Sequence, residues 1–156
     1  DRPGEFSVEN AKALNVEMGP KWGKLQKGES VENSLGQLIT PEQVLGKARK
    51  GRKFSYITDT KYFPEIADFV HDSDFALIEG MFCADLEEDA EDKMHMTSSQ
   101  AAMIAKDGNV KKMGLQHYSP RYSDYELKQL KIEADKIFPD TILTKDRMSF
   151  DIPNEE

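Results

Sequence analysis

The run Phe75-Ala76-Leu77-Ile78 constrains the fold more than any other segment. It is short and nearly all apolar, the pattern of a strand buried on both faces, and such strands belong to parallel sheets with cover on each side. Its neighbours fit that frame. Lys53-Phe54-Ser55-Tyr56-Ile57-Thr58 is β-branched and aromatic, bounded by Gly51 and by Asp59-Thr60, and reads as a strand. Pro64 to Val70 reads as a helix. Thr97-Ser98-Ser99-Gln100 is a capping box that opens another helix, carrying Ala101, Ala102, Ile104 and Ala105 and closed by Gly108. Val110 to Gln116 makes a strand leading into His117. Ser123-Asp124-Tyr125-Glu126 is a further capping box, and Leu127, Leu130, Ile132, Ala134 and Ile137 define a helix stopped at Pro139. Thr141 to Thr144 and Met148 to Ile152 close the order as two short strands. The alternation β-α-β-α-β-α-β-β predicts an α/β sheet covered by helices.

The segment before residue 53 obeys no such alternation. Ser7 can cap a helix over about 8–16, with Val8, Ala11 and Leu14 at helical spacing. Gly19-Pro20-Lys21-Trp22-Gly23-Lys24-Leu25 has two glycines and a proline and predicts an irregular, ordered turn. Thr40-Pro41-Glu42-Gln43 looks like another helix start, with Thr40 as cap and Gln43 closing a capping box, ending near Gly46. Charge divides at the same place. The chain carries −8 over 156 residues, but residues 1–53 hold ten basic against seven acidic groups, a balance of +3, which leaves −11 for the rest. The total argues against a surface devoted throughout to nucleic acid, while the basic first third leaves such a partner open.

With 38% hydrophobic and 32% charged residues the composition is that of a globular chain, long enough for one ordinary domain. No apolar run approaches the roughly 18 to 20 residues that span a bilayer. The start, Asp1-Arg2-Pro3-Gly4-Glu5, shows no signal-peptide pattern and is expected to be a truncated one. The single cysteine, Cys83, has no partner for an internal disulfide, reads as a packed side chain, and suits a reducing cytoplasm.

Asp59, Glu79 and His117 each stand at the end of a predicted strand, the edge where open α/β sheets bind ligands. Two carboxylates and an imidazole converging there can serve a metal such as Zn²⁺ or Mn²⁺. The plain alternatives are a turn residue or N-cap for Asp59, an edge ion pair for Glu79, and a core or capping histidine for His117. His95 precedes the Thr97 capping box, at a helix N-terminus that favours anions and so suits work on phosphate. His71 is explained as an exposed helix-end cation. The six carboxylates between Asp85 and Asp92 read as a solvated helix face or loop.

Ile57-Thr58-Asp59-Thr60, Leu77-Ile78-Glu79-Gly80-Met81-Phe82, His95-Met96-Thr97 and Leu115-Gln116-His117-Tyr118-Ser119-Pro120-Arg121-Tyr122 resemble, in this order, the C-terminal half of the ribonuclease Z family. These are metallo-β-lactamase-fold endonucleases that cut the 3′ trailer from precursor tRNA. Upstream, Leu14 to Leu25 and Lys27-Gly28-Glu29-Ser30-Val31 resemble the family's flexible arm with its Gly-Pro motif. The resemblance implies an αββα sandwich of which this chain supplies the arm and linker, 1–52, and the C-terminal half, 53–156.

It also implies site roles. Asp59 would bridge two divalent ions, Zn²⁺ first, with Mn²⁺ or Mg²⁺ as alternatives, and His117 would be a terminal ligand. The remaining ligands belong to a His-x-His-x-Asp-His motif and a further histidine in the N-terminal half; this chain lacks them, so it is expected to be inactive alone. Glu79 and His95 match the pair that relays a proton to the departing 3′ oxygen. Ser119 and Arg121 match positions that hold the phosphate or discriminator nucleotide, and Tyr122 either stacks or packs. Gly19, Pro20, Lys21, Lys24 and Lys27, with Trp22, would bind the tRNA elbow through phosphates. The implied partners are precursor tRNA, the N-terminal half and a second copy as a homodimer, in the cytoplasm and without a membrane. The chain departs from the family pattern at Thr58 and Lys61, and in the residues beside Glu79 and His95. Two other readings keep part of this: a hydrolase of another small phosphodiester or ester, and a non-catalytic RNA-binding or interaction half.

Overall fold

Two sets of apolar side chains, separated at Gly51, gather into two cores. A computed structural model describes residues 1–153, which fall into two units, Asp1–Gly51 and 52–153. Among the described residues no helix is long and apolar enough to cross a membrane.

In the first unit, α1 spans Val8–Ala13, and the Ser7 hydroxyl accepts from Asn10 N at 3.1 Å. The helix stops before the expected residue 16 because Asn15 turns into the left-handed region at φ 56°. The predicted irregular turn at Gly19–Leu25 is corrected: Pro20–Gln26 is a helix, α2. Pro20 occupies its first turn, where a missing N–H costs nothing, and Gly19 supplies the φ of 152° that leads into it. Trp22 anchors it, donating from Nε1 to Val16 O at 3.0 Å and packing on Phe6 at 5.3 Å.

Two short strands not read from the sequence, β1 (Val31–Glu32) and β2 (Leu38–Ile39), pair antiparallel. The Thr40/Gln43 capping box is present, but it closes a 3₁₀ turn at Pro41–Gln43 and no longer helix follows. Ala11, Val16, Leu25, Val31, Ile39 and Val44 form the core. The hairpin is tied to it by buried Asn33, whose Nδ2 donates to Leu14 O and Gln37 Oε1 and whose Oδ1 accepts from the Leu35 and Gln37 amides.

The second unit alternates as expected: β3 (Phe54–Ile57), α3 (Ile66–Val70), β4 (Phe75–Glu79), a 3₁₀ turn at Ala84–Leu86, α4 (Glu87–Asp92), α5 (Ser98–Asp107), β5 (Met113–Gln116), α6 (Leu127–Asp135) and β6 (Ile142–Leu143). The four strands β3-β4-β5-β6 are parallel and lie in sequence order. Right-handed crossovers between neighbours in that order put every connection on one face. There Ile57, Ile78 and Leu115, in register across the sheet, meet Ile66 and Val70 of α3, Ala101, Ile104 and Ala105 of α5, and Leu130 and Ala134 of α6.

The opposite face is apolar and open: Phe54 and Tyr56 are about half exposed, and Leu77 is only partly covered. Burial of the Phe75–Ile78 run on both faces is therefore incomplete within this chain. Met148 to Ile152, expected as a strand, joins no ladder. Its Phe150 ring packs on Phe75 at 4.6 Å, and Arg52 Nη1 donates to Ile152 O, so side-chain contacts rather than edge pairing hold the segment. Residues 154–156, the end of the expected 53–156 segment, lie outside the described residues. At α5 the Thr97/Gln100 box is reciprocal; the Ser123/Glu126 box forms one turn ahead of α6.

Asn33→Ala leaves the Leu14 carbonyl and two hairpin amides without their partner, and should destabilise the first unit by about 2 kcal/mol. Urea unfolding followed by the fluorescence of Trp22, the only tryptophan, measures it.

Candidate metal centre

Three adjacent parallel strands end side by side, and each end carries a titratable group. Asp59 follows β3 by two residues, Glu79 is the last residue of β4, and His117 follows β5 at once. Asp59 and His117 both adopt left-handed backbone, φ 51° and 56°, which turns each chain sharply as it leaves the sheet. Asp and His are among the non-glycine residues that tolerate this region. The two side chains meet: His117 Nε2 lies 3.1 Å from Asp59 Oδ1.

His95 reaches the same place from another direction. It stands two residues before Thr97, whose capping box fixes the start of α5, and Met81 N donates to Met96 O while Ser98 N donates to Phe82 O. The His95 ring lies 5.2 Å from that of His117. One ligand atom each from Asp59, His95 and His117 falls within 4.8 Å of the others.

Behind them sits Glu79, fully buried. Its Oε1 accepts from Thr60 N at 2.6 Å, and its Oε2 accepts from Met96 N at 3.4 Å and faces His95 Nδ1 at 2.9 Å. An ionised carboxylate only accepts, so His95 donates from Nδ1, which leaves Nε2 as the nitrogen available to Asp59, His117 or a ligand. Imidazole nitrogen with carboxylate oxygen is the donor set of Zn²⁺ and Mn²⁺ sites, and these three residues fit such an ion on an open sheet edge.

The loop after His117 holds the next candidates. Ser119 is buried; its amide donates to Met81 O, and its hydroxyl accepts from Arg121 N at 3.5 Å. The Arg121 guanidinium lies over the Phe82 ring at 5.0 Å and 3.5 Å from Asp89. Tyr122 packs against the core, and its hydroxyl accepts from Cys83 N at 3.0 Å. Burial is the largest influence on Tyr122, pushing its phenol up to about 12, and burial likewise raises the Cys83 thiol and the Tyr118 phenol. Cys83 is thus a packed, buried thiol, as read from the sequence. In α4 the carboxylates read as a solvated face do form a largely exposed helix, from which Asp89 and Glu91 pair with Arg121 and Lys61.

Gly19, Pro20, Lys21, Lys24 and Lys27 lie in the first unit, on and around α2, with Lys21 donating to Glu32 O. Sequence order could not reveal the Thr60 amide on Glu79, since any residue supplies that N–H, nor that His95 comes within ligand distance of Asp59 and His117.

A parallel sheet that gathers Asp and His donors at its carboxyl edge makes an αβ domain with a candidate metal site, and residues 5–118 match the beta-lactamase superfamily domain; the chain belongs to that superfamily. Its curated relatives carry the name ribonuclease Z. That of Treponema denticola is 56% identical over 156 residues, all of this chain and 51% of the relative. That of Treponema pallidum is 50% identical over 156 residues, 100% of this chain and 50% of the relative. That of Methanosarcina acetivorans is 38% identical over 152 residues, 97% and 49%. The chain thus spans about half the length of the curated relatives it matches. Among solved structures, a metallo-beta-lactamase fold protein from Bacillus subtilis aligns with TM-score 0.51 at 26% identity, over 58% of this chain and 35% of that one. Human tRNase Z, short form, aligns with TM-score 0.52 at 20% identity, over 74% and 36%, and shares the fold.

Because the Tyr122 phenol is raised above its unfolded value of about 10, it contributes stability that is complete below pH 10 and lost as pH rises through about 12. An ultraviolet phenolate titration should show a late component that shrinks in Tyr122→Phe, Tyr118 supplying what is left of it; a lost component near pH 10 would contradict the packing described.

Proposed function

We propose that this chain is the arm and C-terminal half of a ribonuclease Z-like metal-dependent phosphodiesterase that removes the 3′ trailer from precursor tRNA. The observation that carries the reading is the meeting of Asp59 and His117 at 3.1 Å beside His95, with Glu79 buried behind them. Asp59 and His117 hold the metal, and Zn²⁺ suits this donor set best, with Mn²⁺ or Mg²⁺ as alternatives. When bound, two such ions compensate charge on the scissile phosphate. The other ligands, and the cover for the open face of Phe54, Tyr56 and Leu77, come on this reading from an N-terminal half, and the chain is inactive without it. Homodimerisation and a cytoplasmic location complete the reading and rest on the family resemblance.

Glu79 holds the proton on His95 Nδ1, which sets Nε2 to pass a proton to the 3′ oxygen as it leaves. Arg121 and Ser119 hold the phosphate or the discriminator nucleotide, the guanidinium offering a fork for a phosphate. Lys21, Lys24 and Lys27 grip the tRNA backbone through phosphate contacts that are independent of sequence and sensitive to salt.

The ligand-distance triad favours a second role for His95, as a third metal donor. In the full-length protein, Asp59→Ala and His117→Ala should each lower the metal content measured by elemental analysis and abolish cleavage of precursor tRNA; unaltered stoichiometry in both would sink the assignment. His95→Ala should retain metal and lose turnover, whereas loss of metal would make it a ligand.

Changing Lys21, Lys24 and Lys27 together to Ala should raise the KM for precursor tRNA and reduce the slope of log affinity against log salt by up to about 3, roughly one per phosphate contact. Hydrolysis of a small chromogenic phosphodiester should stay nearly unchanged. Equal losses on both substrates would argue against an arm that binds RNA.

A further inference from the structure

His117 occupies a turn that is fastened on both sides. Toward β4, Gly80 N donates to Gln116 O at 3.0 Å and Ser119 N donates to Met81 O at 3.1 Å. The Gln116 side chain adds a bond from Nε2 to Ile57 O at 3.1 Å. These contacts hold the residues on either side of His117, but none of them reaches the β6 side.

Tyr118 supplies that side. Its ring folds back along its own strand, so that the hydroxyl sits between β5 and β6. There it donates to Leu115 O and accepts from Thr144 N at 2.9 Å, with Thr144 O at 3.2 Å. The phenol is partly buried and packed against the core. The bonds of Gly80, Ser119 and Tyr118 therefore bracket the single left-handed residue, His117 at φ 56°. Left-handed backbone at a non-glycine residue persists only where its surroundings over-determine it.

We propose that Tyr118 is a positioning residue for His117: by pinning the β5–β6 edge with its hydroxyl it holds the His117 imidazole where its Nε2 meets Asp59. This rests on the reading of His117 as a metal ligand. A group that orients a ligand in this way is worth about tenfold or more in metal affinity.

Tyr118→Phe tests it: the Leu115 carbonyl keeps Thr144 N at 3.1 Å and Thr144 Oγ1 at 2.6 Å, while the Thr144 carbonyl loses the Tyr118 hydroxyl. The comparison is Thr144→Val, which removes a hydroxyl from the same edge but keeps the backbone bond from Thr144 N to the Tyr118 hydroxyl. In the full-length protein, chelator competition should give Tyr118→Phe a Zn²⁺ dissociation constant raised about tenfold, with Thr144→Val at the wild-type value. The visible absorption of the Co²⁺-loaded protein should change in Tyr118→Phe and not in Thr144→Val.

Wild-type Zn²⁺ affinity in Tyr118→Phe, or an equal loss in Thr144→Val, overturns the proposal. His117→Ala is measured alongside. If it too keeps wild-type affinity, the ligand assignment fails and the positioning role with it; if it loses the metal while Tyr118→Phe does not, only the positioning role fails.

Discussion

The carboxylate of Glu79 is the interaction on which the site depends. It ends β4, the strand flanked by β3 and β5, and has no exposure to water. A buried carboxylate is costly unless its oxygens are filled by donors. Here the donors are Thr60 N and Met96 N on the backbone and Nδ1 of His95. Thr60 is the neighbour of Asp59, and Met96 the neighbour of His95. Satisfying one buried charge thus draws two separate loops toward the same strand end, and the side chains beside those donors are the ones that converge. The cost of burying Glu79 is offset by the same contacts that assemble the centre.

Topology does the rest. Strands in sequence order, joined by crossovers of one hand, place their helices on one face and all their carboxyl ends at one edge. The edge becomes a site because Asp59, Glu79 and His117 arrive in adjacent positions. The other face remains apolar because no crossover in this chain can cover it. Phe150, lying on Phe75, shields one corner only. The open face is a consequence of that architecture: in the second unit a single layer of helices lies on a single sheet.

What could be read from the sequence was what local chemistry decides. The Thr97/Gln100 box and Gly108 mark α5 because caps act within one turn, and the alternation after residue 53 follows from periodicity that survives folding. Gly19-Pro20 misled because the same two residues can break a helix or start one, and only the packing of Trp22 against Phe6 and Val16 decides which. The two-residue strands of the hairpin are too short to show alternation, and their anchor, Asn33, acts across 19 residues on Leu14. Met148 to Ile152 has strand-like residues, yet Phe150 finds a better contact over the sheet than its backbone would at the edge. The strand-end residues of the site were legible by order alone. Their distances, and the Tyr118 bridge, depend on tertiary contacts that no local pattern encodes.

Charge at the site has a shape that the total of −8 conceals. Two cations of the second unit are already paired, Arg121 with Asp89 at 3.5 Å and Lys61 with Glu91 at 3.4 Å, both acids lying on α4. All four side chains are substantially exposed, and exposed pairs of this kind contribute about 0 to 1 kcal/mol. A phosphate that offers Arg121 two oxygens in its own plane is a stronger partner than a carboxylate at the limit of contact. Exchange of one for the other therefore meets little resistance. The acids of α4 still act beyond the pair: with a screening length of about 8 Å at physiological salt, they repel polyanion that approaches α4 without reaching the guanidinium. On the proposed reading, long-range attraction for RNA then has to come from the arm lysines Lys21, Lys24 and Lys27, and the catalytic half contributes only where a phosphate is already within reach of Arg121.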